Sequence, residues 1–248
     1  GYGIYHDDVI KMLSGCCLVD KHEISRIIVT HADADHCGAA GYFTAPVLLH
    51  EGTLAIIQKN NRAYGSRREN SVLEEFYTKM INLFSKFNSQ SRIECLSKKE
   101  DRMRGIFPVM GTVRVGDLDL EILEGLGGHT WGQIYLYSEK HGLLFAADSV
   151  INFSSLTKER ADYSSLAAFL VTSVNVDSDL AKKERRALLE IAYQTDNELA
   201  AKGKRCLICG GHGAVSVLEN DKLIVNGSIE RYQPHQTCTI GGGGKELG

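Results

Sequence analysis

Apolar residues along this chain change their spacing several times, and each change predicts a new element. Asp8 to Leu13 has helical spacing, and Ser25-Arg26-Ile27-Ile28-Val29-Thr30 is a short β-branched run suited to a buried strand. Gly38-Ala39-Ala40-Gly41 then predicts a closely packed helix, and Pro46 to His50 a second buried strand. That β-α-β order implies a sheet with helices packed on it. From Glu51 to Asp101 the sequence becomes more polar and helical, and in Val72 to Ile81 apolar positions recur at helical spacing. Residues 51–105 therefore read as an amphipathic helical insertion with the character of a lid.

Further on, Val113 to Leu123 alternates around a Gly116-Asp117 hairpin turn, and Gln133 to Phe145 predicts two strands around Lys140-His141-Gly142. Leu166 to Val171 and Arg185 to Leu199 return to helical spacing before the apolar strand Cys206-Leu207-Ile208-Cys209. No repeat of solenoid period is present. Residues 1–232 are expected to form one domain, and 233–248, with Gly241 to Gly244, a flexible tail.

Composition narrows the function classes. A net charge of −3 over 248 residues supplies no basic field for nucleic acid, and the one small basic cluster is Arg62, Arg67 and Arg68. Those arginines read as a solvated helix face, with an anionic substrate as the competing role. No apolar run reaches the roughly 20 residues that a bilayer span needs, so no membrane partner is expected. Seven cysteines, among them adjacent Cys16-Cys17 and isolated Cys37, Cys95 and Cys238, do not form a disulfide framework, and a cytoplasmic setting is expected. The chain opens on Gly1-Tyr2-Gly3 rather than on methionine, so a segment missing upstream is also expected.

The densest chemistry lies in Thr30-His31-Ala32-Asp33-Ala34-Asp35-His36-Cys37-Gly38, where four imidazole or carboxylate groups fall within six positions as a strand gives way to a helix. Such groups suit first-row divalent metals, and the small residues between them leave room for an ion. Three more candidates end strands or turns: His129 after Gly127-Gly128, Asp148 after Leu143 to Ala147, and His212 after Cys206 to Gly211. Loops at one edge of a layered sheet can bring such residues to a single place.

The four blocks His-x-Asp-x-Asp-His-x-Gly, Gly-His-Thr-x-Gly, Ala-Asp-Ser and Gly-His-Gly, in this order, resemble the metallo-β-lactamase superfamily over roughly residues 25–215. The resemblance implies an α/β (α+β) fold, the αββα sandwich, with an abbreviated or truncated N-terminal half because the usual preceding hairpins are largely absent. It also implies two divalent ions (zinc, iron or manganese), one held by His31, Asp33 and His129, the other by Asp35, His36 and His212. Asp148 would bridge them.

The implied activity is a metal-dependent hydrolase in which metal-bound hydroxide attacks an ester, lactone, amide, thioester or phosphoester of a small-molecule substrate, with Asp35 as the catalytic carboxylate. Asp33 departs from the pattern, which has histidine there. An extra hard oxygen ligand favours iron or manganese over an all-imidazole triad. It also partly resembles flavodiiron proteins, so a diiron protein acting on dioxygen or nitric oxide is the second reading. A non-catalytic, metal-stabilised binding module is the third.

Other groups read as structural. Cys206-x-x-Cys209 lies in an apolar strand without a second pair, Cys37 falls just beyond the ligands, and His50 ends a strand. His6, His22, His141 and His235 join no pattern. Trp131 either packs beneath the metal loop or lines the entrance. Neither the substrate nor the oligomeric state is legible.

Overall fold

The computed structural model describes residues 1–15, 23–83, 85, 87, 92–97, 100–162 and 174–229. The predicted first helix is α1 (His6–Gly15), and the β-branched run gives the short strand β1 (Ile27–Ile28). The ligand loop follows, then α2 (Ala34–Cys37), a 3-10 turn over Gly38–Tyr42, and the fully buried β2 (Val47–His50). Next come α3 (Glu51–Lys59), capped by the His50 imidazole, and α4 (Val72–Asn82), capped by the Ser71 hydroxyl.

The reading of 51–105 as helical needs a correction here. Strand β3 (Ile93–Leu96) lies inside it and pairs in parallel with β2 along Val47 to His50. Four residues, Ile-Glu-Cys-Leu, are too few to show a strand period in a polar stretch, and pairing with a buried neighbour settles the conformation instead.

Antiparallel strands dominate the centre as expected: β4 (Met103–Arg104), β5 (Phe107–Val115), β6 (Leu118–Glu124), β7 (Ile134–Ser138) and β8 (Leu143–Ala147). The Gly116-Asp117 turn joins β5 to β6. The predicted helix Arg185 to Leu199 is the core of the longer α5 (Ser178–Ala200). Strand β9 (Leu207–Gly210) then lies parallel to β8, and β10 (Ser216–Glu219) and β11 (Lys222–Val225) close the edge. Leu166 to Val171 and the tail lie outside the described residues.

Among the described residues the strands form a parallel sheet, β1-β2-β3, and a larger sheet, β11-β10-β9-β8-β7-β6-β5-β4. Strand alternation sorts the core into layers. Tyr135 and Tyr137 of β7 face α5 through Ala187, Leu188 and Ile191, while Ile134 and Leu136 face the small sheet at Leu48. Val47 and Leu49 point from the small sheet's other side toward Cys37, Ala40, Leu54 and Ile57. The layers are thus helix, sheet, sheet, helix, and each fully buried Leu or Ile contributes roughly 1.5–3 kcal/mol.

Candidate metal centre

The sheets meet where Ile134 N–H donates to the Thr30 carbonyl at 2.8 Å, and the ligand-bearing loops collect at that seam. His31 follows β1, Asp148 follows β8, His212 follows β9, and His129 lies in the loop from β6 to β7. Local geometry aims several of them. Ala147, just before Asp148, has φ 44°, a left-handed conformation uncommon for alanine, at a shift in the β8·β9 register. Gly211 is equally constrained, because a Cβ there would stand 1.7 Å from Asp148 Oδ1.

All seven expected residues come together, in two groups whose donor atoms each lie within 4.8 Å of one another: His31, Asp33, His129 and Asp148, and Asp35, His36 and His212. In the first, Asp33 Oδ2 lies 3.1 Å from His129 Nε2 and 3.8 Å from His31 Nε2. In the second, Asp35 Oδ2 lies 3.2 Å from His212 Nε2 and 3.5 Å from His36 Nε2, and the two imidazole Nε2 atoms are 3.2 Å apart. Asp148 faces both, with Oδ1 3.1 Å from His36 Nε2 and Oδ2 3.5 Å from His212 Nε2, 3.6 Å from His129 Nε2 and 4.0 Å from His31 Nε2.

These spacings fit a shared cation. Donor atoms at about 2.0–2.2 Å from one tetrahedral ion stand roughly 3.3–3.6 Å apart. His31 supplies a further observation: it is fully buried, its Nδ1 is 3.1 Å from Thr30 Oγ1, and its Nε2 has no hydrogen-bond partner. A buried imidazole nitrogen left bare carries a desolvation cost that a ligand bond would remove. His129 is set in the same way, since Asn175 Oδ1 lies 3.0 Å from its Nδ1 and leaves Nε2 toward the cluster.

The electrostatics agree. Burial pushes the His31 pKa down to about 3, so this imidazole is neutral. Burial also works against ionising Asp33, Asp35 and Asp148, yet their partners hold all three below the usual carboxylate range. For Asp33 the chief partner is Arg62; for Asp35 and Asp148 it is His212, followed by His36. Burial opposes charge on His36 too, but the Asp148 and Asp35 carboxylates outweigh it and hold its pKa up to about 10. The same carboxylates hold His212 up to about 9. Without an ion the carboxylates thus draw protons onto His36 and His212, and a divalent cation held between the two groups would take the place of those protons.

Arg62 corrects the reading of the basic cluster as a solvated face. It is only 6% exposed, and its Nε donates to Asp33 Oδ1 at 2.7 Å. A carboxylate where the pattern has an imidazole is a buried charge that calls for a counter-charge, and that was the sequence signal for Arg62. Arg67 is exposed and Arg68 partly so.

Asn175 and Glu184 carried no such signal. From α5, Glu184 accepts N–H bonds from Leu126 and from Gly128 (3.0 Å) and so fixes the His129 loop. Trp131 packs against Gly52, Tyr64 and Gly65, in and just after α3. A Cβ on Gly65, where φ is +79°, would stand 2.6 Å from its ring. His50 is the satisfied structural histidine expected, accepting from Gly52 N–H at 2.9 Å with Nε2 3.2 Å from Glu124. Cys37 and Cys206 are buried outside both groups, and burial pushes each thiol up to about 12.

The sequence model of the metallo-beta-lactamase superfamily matches residues 19–199. The chain belongs to that superfamily. No curated protein matches it significantly in sequence. Among solved structures this superfamily member is similar to the BLEG-1 B3 metallo-beta-lactamase, with 16% identity, 86% of this chain and 78% of that chain covered, and a TM-score of 0.43. A metallo-beta-lactamase family protein from Thermus thermophilus is 19% identical, with 84% and 61% covered and a TM-score of 0.47. An N-acyl homoserine lactone hydrolase is 17% identical, with 76% and 57% covered and a TM-score of 0.38. The chain thus spans less than two thirds of the length of the last two, and likeness at this level says nothing of substrate. No helix among the described residues is long and apolar enough to cross a membrane.

Proposed function

We propose that the chain is a metal-dependent hydrolase with a dinuclear centre, His31, Asp33 and His129 holding one ion, Asp35, His36 and His212 the other, and Asp148 bridging. The observation that carries this reading is the convergence of the seven side chains into two adjacent groups that share Asp148, with the buried His31 Nε2 bare. Divalent ions held there would supply a nucleophile from water near neutral pH and a positive charge for the oxyanion that develops on the substrate.

The chain's own residues divide the remaining work. Asp35 is partly exposed at the outer side of the cluster, where its carboxylate can accept the proton of attacking water and pass it to the leaving group. His31 and His129, both buried, keep water from the inner side. A cleft lined by Asp33, Asp35, Ile57, Arg62, Tyr77 and Asn82 opens beside the ligand loop, and its far wall is the α3–α4 segment. That segment is the proposed lid over a small-molecule carbonyl or phosphoryl substrate.

The test is turnover of a panel of nitrophenyl esters, lactones, thioesters and phosphodiesters by the chain as purified, after chelation, and after metal is restored. Hydrolysis lost on chelation and recovered with metal is the expected result. A metal-loaded chain inert across the panel would overturn the reading and favour a non-catalytic binding module.

A further inference from the structure

Arg62 gives Asp33 an unusual setting, and the inference drawn from it rests on the two-ion reading above. A carboxylate differs from an imidazole as a metal ligand in two ways: it is negatively charged, and it offers a second donor atom. Both differences are offset at Asp33. The Arg62 Nε–H takes Oδ1 at 2.7 Å, leaving Oδ2 alone to face His129 and His31, and the guanidinium supplies the opposite charge.

Arg62 is itself locked in place. Its backbone N–H donates to Thr78 Oγ1 on α4 at 3.1 Å, and its Nη2 donates to the Val174 carbonyl. Its Nη1 lies 3.7 Å from buried Glu74, whose charge Arg68 also meets at 3.6 Å. Asp33, Arg62, Glu74 and Arg68 therefore sum to zero. Beside the ions, the Asp33–Arg62 pair counts as one neutral, single-donor ligand.

We propose that Arg62 is a positioning residue that makes Asp33 act toward a metal as an imidazole would, so that the first site prefers zinc over manganese. A free carboxylate with both oxygens available would favour the harder ion.

The test titrates metal-free protein with zinc and with manganese in chelator-buffered solutions and reads the ratio of the two dissociation constants. Arg62→Met should move this ratio toward manganese by about ten-fold or more, whereas Arg62→Lys, which keeps the charge, should leave it within about three-fold of the wild type. The double variant Asp33→His with Arg62→Met should keep the wild-type ratio. Asp33→His alone, which sets an imidazole against an unpaired buried guanidinium, should bind zinc at least about ten-fold more weakly than that double variant. This last pair decides the matter if Arg62→Met fails to fold.

A folded Arg62→Met with an unmoved ratio, or Asp33→His binding as tightly as the double variant, overturns the inference while two ions in the wild type leave the hydrolase reading standing. A wild-type chain that takes up neither ion overturns both.

Discussion

His31 has no exposed side-chain surface and His212 has 38%, although both follow a short strand and both lie within 4.0 Å of Asp148. The difference runs through their groups. His31 and His129 are buried, and His129 is oriented by Asn175 and by a loop tied to Glu184. His36 and His212 are held by the Asp35 and Asp148 carboxylates and open on the solvent side. The inner group is therefore held by the surrounding fold, and the outer group is the one that solvent reaches. Preorganisation on one side and access on the other is the division a hydrolytic centre needs.

Substitutions that join or separate the two groups test this contrast, and the largest effect belongs to the residue they share. Asp148→Ala should lower turnover at least about a hundred-fold and bring metal content below two ions per chain by elemental analysis. Gly211→Ala acts on the same carboxylate from the backbone side, because its new Cβ would occupy the space of Asp148 Oδ1. It should weaken the outer ion about ten-fold or more in equilibrium dialysis.

Asn175→Ala touches only the inner group. It should cost about ten-fold to a hundred-fold in affinity for the inner ion, and an equal loss at both ions would show that the groups are not separately built.

The smallest effect is on metal-free stability, and its sign separates the groups. His31→Leu removes a bare buried nitrogen and should raise the unfolding free energy in urea by about 1 kcal/mol while abolishing the inner ion. At partly exposed His212 the same substitution takes a charge partner from the Asp35 and Asp148 carboxylates and should instead lower the unfolding free energy. A destabilised His31→Leu would mean that this side chain is a core residue and not a group waiting for a partner.

The contrast also explains what could be read from the sequence. The ligand blocks were legible because the ligands sit in short segments that follow apolar strands, in a loop or, for Asp35 and His36, in the short helix α2, so composition and order carry the information locally. The layers followed from alternation in β5 to β8 and from the helical period of α5. Strand β3 was hidden inside a polar stretch, since its conformation comes from pairing with β2 rather than from its own four residues. Arg62, Asn175 and Glu184 reach the centre from segments remote in sequence. Nothing near Asn175 or Glu184 marks them, because their partners are a histidine and two backbone amides that only the fold brings close.

The most direct test of the dinuclear centre is the metal content of the chain after stripping, incubation with excess zinc and removal of unbound ion. About two zinc ions per chain, falling to about one in His129→Ala and in His212→Ala separately, is the result expected of two groups that each hold an ion. A folded wild-type chain that retains no zinc would contradict it, and would leave the seven converging side chains as a hydrogen-bonded cluster without a metal.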